Sequence, residues 1–252
     1  MRALLTVAVM GGIGMLAAPA LVAGAASDTS VDPVASTVTP VYETAPVAYA
    51  SAASVPRATT VAGRGDVDPA WSRDAAARAG IPEVAVRAYA RAELILRGTD
   101  PSCGLGWTTL AGLGYVESQH GTIGGRALLP DGHSSTPILG PALDGSGDFA
   151  AIPASPTSTQ WHNDPQWDHA VGPMQFMPST WARWTSDADG DGIGDPNDID
   201  DAAYAAGRYL CADGRDLTSG SGWGAAVFSY NHSAAYVDQV YAAASAYSQR
   251  TK

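Results

Sequence analysis

Residues 27 to 66 contain no Leu, Ile, Met, Phe or Trp, and this gap limits what the chain can fold into more than any other feature. The stretch is built from Ala, Val, Thr, Ser and Pro, with prolines at 33, 40, 46 and 56. Such a composition buries too little apolar surface to offset the entropy of ordering it. Residues 26–66 therefore read as a disordered linker. A packed domain is left with residues 67–252, which number 186, ample for one sizeable core.

The segment before the linker reads as an export signal. Arg2 is the only charge before Asp28, and an apolar run extends from Ala3 to about Ala20. Ala23-Gly24-Ala25 then supplies the small-residue pattern of a cleavage site, so residues 1–25 are expected to be a signal peptide. An uncleaved anchor is the alternative, because the run is almost long enough to span a bilayer. The Gly11-Gly12-Ile13-Gly14 interruption and the cleavage pattern favour export. No Cys stands near the site, so a lipid anchor is not expected, nor is stable membrane insertion after cleavage.

Charge narrows the partners. The chain has 14 basic and 25 acidic residues, a formal net charge of −11, and loss of Arg2 makes it one unit more negative. A nucleic-acid binder needs a basic stripe to meet phosphates, and anionic lipid attracts basic segments. Neither partner fits. The chain's two cysteines, Cys103 and Cys211, are expected to form a structural disulfide if the protein is exported. Two buried free thiols are the alternative.

Periodicity places helices on the domain. Asp68-Pro69 opens a short one, with Pro at its first position. Ile81–Arg97 is a second, ended by Gly98, and Cys103 to about His120 a third, closed by Gly121. Residues 121 to 165 are rich in Gly, Pro, Ser and Asp and read as a long functional loop, such as a cleft rim. Further helical pieces fall near Ser179–Trp184, Asp198–Cys211, Trp223–Tyr230 and Ala234–Tyr247. No run of alternating β-branched residues is present, so the domain is expected to be mainly α.

The third helix carries an unusual residue. Cys103, Trp107, Leu110, Leu113 and Glu117 recur at helical spacing, which puts Glu117 on the apolar stripe. A carboxyl there loses hydration and its pKa rises. An acid still protonated near neutrality is what a leaving oxygen needs. A buried Glu paired with an Arg or capping a helix is the alternative. Glu43 lies in the linker, Glu83 complements a helix dipole, and Glu93 sits between arginines on an ordinary amphipathic helix. Glycoside hydrolysis usually takes two carboxylates. The candidates for a second are loop residues, Asp131, Asp144, Asp148, Asp164 and Asp168, whose positions the sequence does not fix.

Residues 187–198 follow a calcium-loop pattern. Asp187, Asp189 and Asp191 alternate, Gly192 supplies the turn, Ile193 offers its backbone carbonyl, and Asp195 ligates directly or through water. Seven acids fall between 187 and 201, and without a cation their repulsion would open the segment. The twelfth position holds Asp198, one methylene shorter than the usual Glu. Asp198 is also placed to cap the next helix, so Asp201 is favoured as the closing ligand with Asp198 second. A single site in an exported protein suggests structural Ca2+.

Three blocks together carry a resemblance. They are Gly114-Tyr115-Val116-Glu117-Ser118, the run from Ala170 through Gly172-Pro173-Met174-Gln175-Phe176-Met177-Pro178-Ser179-Thr180-Trp181, and Ser229-Tyr230-Asn231-His232-Ser233 continuing to Tyr236. In this order they resemble the lytic transglycosylases of the membrane-bound murein transglycosylase B type, over roughly residues 80 to 247. The resemblance implies a lysozyme-like helical domain that cleaves peptidoglycan glycan strands, secreted and cell-wall associated, as a monomer. It implies Glu117 as the single catalytic acid and base, with no catalytic cofactor. The bond broken would be the β-1,4 link from N-acetylmuramic acid to N-acetylglucosamine, leaving a 1,6-anhydro end. Ser118, Gln175, Phe176, Tyr209, Tyr230, Asn231 and Tyr236 match substrate-cleft positions; for Tyr209 and Tyr236 core packing is a rival reading. Trp161, His162, Trp167 and His169 are expected to form a small loop core, with cleft lining as the alternative. A hydrolytic muramidase on the same fold and a non-catalytic wall-binding module are the competing functions.

Overall fold

A computed structural model describes residues 42–52, 66–147 and 149–252. The expected signal peptide (1–25), linker residues 26–41 and 53–65, and Asp148 lie outside the described residues. The described residues form eight α-helices and isolated bridges, with no strand among them. They are α1 (Pro69–Ala79), α2 (Glu83–Thr99), α3 (Trp107–Ser118), α4 (Pro156–His162), α5 (Pro178–Trp184), α6 (Ile199–Leu210), α7 (Gly220–Tyr230) and α8 (Ala234–Arg250). None is long and apolar enough to cross a membrane.

The ends follow local chemistry. Asp68 accepts from the amides of Ala70 and Trp71, and left-handed Gly80 closes α1. Ser219 caps α7 and Ser233 caps α8. α3 starts at Trp107, later than expected, because Gly104 is left-handed and Gly106 extended. α4 was not foreseen within residues 121–165, although Ser155 followed by Pro156 is a cap-and-first-turn signal, and Ser155 does accept from the amide of Ser158.

α3 is the centre of the domain. Every residue from Trp107 to Gly114 is buried, so the helix is enclosed on all sides over that length, not on a single stripe. Its small residues allow this. Gly112 lies against the backbone of Val240 and against Ala244 on α8, and Gly114 against the Tyr89 hydroxyl on α2. α2 packs in turn on α6, where Arg91 pairs with Asp200. Cys103 and Cys211 are disulfide-bonded, with Cα atoms 5.4 Å apart, joining the approach to α3 to the end of α6.

Residues 42–52 correct the linker reading, because they are bound to the domain. Tyr42 stacks on Tyr241 with ring centroids 4.1 Å apart, meets Trp223 edge-on and donates its hydroxyl to Asp238. Thr108 donates to the carbonyl of Pro46 and accepts from the amide of Ala48, both at 2.9 Å. The amide of Ala50 donates to Glu93 at 2.6 Å. The segment has few aliphatic side chains, as its composition says. It docks through the Tyr42 ring, the small side chains of Ala45 and Ala50 and its own backbone groups, which a count of large apolar residues does not weigh.

Candidate active site

Glu117 occupies the last turn of α3, where the helix leaves the core, and it is partly exposed in a cleft. Ala170, Gln175, Phe176, Met177, Thr180, Tyr209, Tyr230 and Asn231 complete the lining, so Glu117 is the one carboxylate among the described lining residues. Burial pushes its carboxyl up from 4.5 to about 7, against the lowering effect of the Tyr236 hydroxyl, which donates to Oε1. A carboxyl in that range is able to hold a proton for delivery and to take one back.

The opposite wall is a tight turn. Val171 and Phe176 exchange backbone hydrogen bonds at 2.9 and 3.0 Å around Gly172-Pro173-Met174-Gln175. Gly172 is left-handed at φ 75°, and an added Cβ there would collide with the carbonyl of Pro196. Gln175 is also left-handed, at φ 50°, and its side-chain amide donates to the carbonyl of Gly172 at 2.9 Å. The turn is gripped from both sides: Ser118 on α3 donates to the carbonyl of Pro173 at 2.6 Å, and Tyr230 on α7 to that of Met174 at 2.8 Å. The specific block of sequence thus builds a backbone scaffold that sets Gln175 in the cleft beside Glu117.

The expected sugar-contact residues divide. Gln175, Phe176, Tyr209, Tyr230 and Asn231 line the cleft. Phe176 meets Trp181 and Tyr230 edge-on, and Tyr209 meets Tyr230 and Trp184 the same way while donating to the carbonyl of Ser229 at 2.7 Å. Ser118 does not face the cleft. It is fully buried, and its hydroxyl also accepts from the amide of Gly121 at 2.8 Å, so it ties the turn after α3 to the scaffold. Tyr236 is buried and engaged with Glu117. Met177 and Thr180 line the cleft without having been singled out for it, whereas Met174 is wholly buried packing.

None of the other described acids joins Glu117. Asp168 pairs with buried His162 at 2.8 Å and Asp164 with His169 at 3.1 Å. The His169 contact and two backbone amides hold Asp164 down at about 2. Asp144 accepts from the amide of Ser146, and Asp131 lies beside His133. Of the four residues expected to form a loop core, His162 and His169 meet ring to ring at 5.0 Å and Trp161 packs against the core of the domain. Glu93, set aside in the sequence as a residue between arginines on an amphipathic helix, is fully buried, accepts from the amides of Ala50 and Trp107, and burial pushes it up to about 7. It caps the start of α3 and holds residues 42–52.

In the acidic loop, ligand atoms of Asp187, Asp189 and Asp201 all lie within 4.8 Å of one another. Asp201 also accepts from the amides of Ala188 and Asp195. Asp198 instead caps α6 through the amide of Asp200 at 2.7 Å. Asp191 accepts from the amide of Ile193, and Asp195 from Asn197. Ile193 is exposed. Asp191, Ile193, Asp195 and Asp198 stand outside the three-carboxylate group.

Residues 165–228 match a family model described as "Transglycosylase SLT domain". That stretch is similar to a transglycosylase domain. It holds the Gly172–Trp181 scaffold, the acidic loop and Tyr209, and supports an enzyme of the lytic transglycosylase kind. A solved structure, the Escherichia coli lytic transglycosylase Slt35 in complex with bulgecin A, is similar at 15% identity, covering 73% of this chain and 75% of that one with a TM-score of 0.45. No curated protein matches.

Proposed function

We propose that the protein is an exported peptidoglycan lytic transglycosylase of the membrane-bound murein transglycosylase B type, acting on glycan strands with Glu117 as its single acid and base. The observation that carries the reading is Glu117, the lone carboxylate among the described lining residues of the cleft, raised to about 7 and hydrogen-bonded to Tyr236. Protonated Glu117 gives its proton to the glycosidic oxygen between N-acetylmuramic acid and N-acetylglucosamine, and the carbon–oxygen bond breaks. The carboxylate so formed takes the proton from the muramic C6 hydroxyl, whose oxygen closes on C1. The product is a 1,6-anhydro ring, and no water is consumed. This chemistry takes its nucleophile from the substrate, so it requires no second carboxylate. Gln175 and Asn231 offer amides to acetamido and hydroxyl groups, and Tyr209 and Tyr230 offer ring surface to sugar faces.

The acidic loop fits a hard divalent cation. Three carboxylates converge there, and buried Asp201, pushed up to about 7 by burial, gains most from a positive partner. Asp187, Asp189 and Asp201 would hold structural Ca2+ next to the entry of α6, away from the reacting bond.

The test is mass spectrometry of muropeptides released from purified peptidoglycan. Anhydro ends are expected, and Glu117→Gln should release none. Reducing ends would instead point to a hydrolytic muramidase, and the absence of any cleavage to a wall-binding module.

A further inference from the structure

The turn that follows Glu117 is conformationally costly. Gln119, His120 and Gly121 are left-handed in succession, with φ of 53°, 61° and 82°. Each non-glycine residue in that region costs about 1–2 kcal/mol. One such residue suffices to cap a helix, so the second demands a further cause. The His120 side chain supplies it. The ring is buried between three helices, with Nδ1 3.1 Å from the Tyr89 hydroxyl on α2 and Nε2 2.9 Å from the Tyr247 hydroxyl on α8. Tyr115 on α3 packs its ring 5.9 Å away. Those tyrosines are the titratable groups facing the imidazole in these contacts, and Arg250 lies further along α8. Burial pushes His120 down to about 4, so it is neutral near pH 7. A neutral imidazole has one N–H and one lone pair. One tyrosine therefore donates to the ring and the other accepts from it.

We propose that His120 is a positioning residue for the reaction: by bridging Tyr89 and Tyr247 it locks the left-handed turn after α3 and so fixes the rotation at which Glu117 meets Tyr236 and the cleft. The proposal rests on the reading of Glu117 as the catalytic acid and base. Ser118 holds the same turn from the other side, through Pro173 and Gly121. These two anchors hold the turn that ends α3 from both sides. A general acid displaced by about 1 Å loses up to a hundredfold in rate, so the clamp has a kinetic consequence beyond stability.

His120→Gly separates the two contributions of the residue, because glycine tolerates the backbone while the bridge is lost. In the full chain, kcat on purified peptidoglycan should fall about tenfold to a hundredfold with KM held within about twofold. The basic limb of the rate profile, set by Glu117 near 7, should move downward as the carboxyl gains water. A folded variant with wild-type kcat and limb overturns the proposal, as does a lowered melting temperature with unchanged kcat. If His120→Gly does not fold, Tyr247→Phe keeps the ring and removes one partner. A several-fold loss in kcat at constant KM is then expected, and an unchanged kcat overturns the proposal. Activity in Glu117→Gln would overturn both this proposal and the assignment of Glu117, whereas full activity in His120→Gly beside an inert Glu117→Gln overturns this one alone.

Discussion

Tyr236→Phe removes a single oxygen from the site and has a calculable effect. The hydroxyl donates to Oε1 of Glu117 and thereby stabilises the ionised form, while burial works in the other direction and holds the carboxyl at about 7. A hydrogen bond to a charged group is worth about 1.5–3 kcal/mol. Its loss from the carboxylate corresponds to about one to two pH units, placing Glu117 at about 8–9. The ring itself is buried, and Phe fills the same space apart from the hydroxyl. The assay is the pH dependence of kcat on purified peptidoglycan from about pH 5 to about 10, a span covering both values. The basic limb should move to higher pH, so the variant gains relative to wild type on the alkaline side. An unmoved limb, or one displaced downward, would refute the argument that this hydroxyl sets the acidity of Glu117.

Three further outcomes are expected. Chelation with EDTA should lower the melting temperature by about 5–10 °C and Ca2+ should restore it, as follows from about 2.7 kcal/mol at a hundredfold excess over Kd; identical melting curves would remove the proposed ion. Glu93 is raised from 4.5 to about 7 by burial, so its protonated form favours the folded state, a contribution complete below about 4.5 and lost as pH rises through about 7. Glu93→Gln should therefore flatten the fall in urea-derived stability between pH 5 and pH 8 by an amount on the order of 3 kcal/mol, and an equal slope in both proteins would count against this. Gly172→Ala should cost about 1–2 kcal/mol for the left-handed backbone alone, plus the collision with Pro196. It should also depress cleavage by displacing Gln175, and a variant with normal melting and activity would contradict the scaffold role of the turn.

Several features were legible from short stretches of chain, because the forces that make them are local. Asp68-Pro69 at the start of α1 is a backbone preference of neighbouring residues. Glu117 was singled out by its helical spacing, seven and four residues after Leu110 and Leu113, although α3 is enclosed on all sides over Trp107–Gly114 and not on one stripe. The alternation of Asp187 and Asp189 brought two carboxylates together within one loop. The turn at Gly172 needs a residue without a Cβ, and the sequence supplies it.

Other features required distant partners, and no local pattern specifies those. Tyr236 reaches Glu117 across 119 positions, and Tyr247 reaches His120 across 127. Whether a polar side chain is buried depends on what packs over it, and the burial of Glu93 depends on residues 42–52, whose Ala50 amide it accepts from. The same long-range packing turned Ser118 away from the cleft. The amino-acid sequence alone determined most of the helices, the cap that opens α1 and the identity of the candidate acid. Tertiary structure decided the acid's environment, because desolvation and hydrogen bonding act through space between segments that the chain keeps far apart.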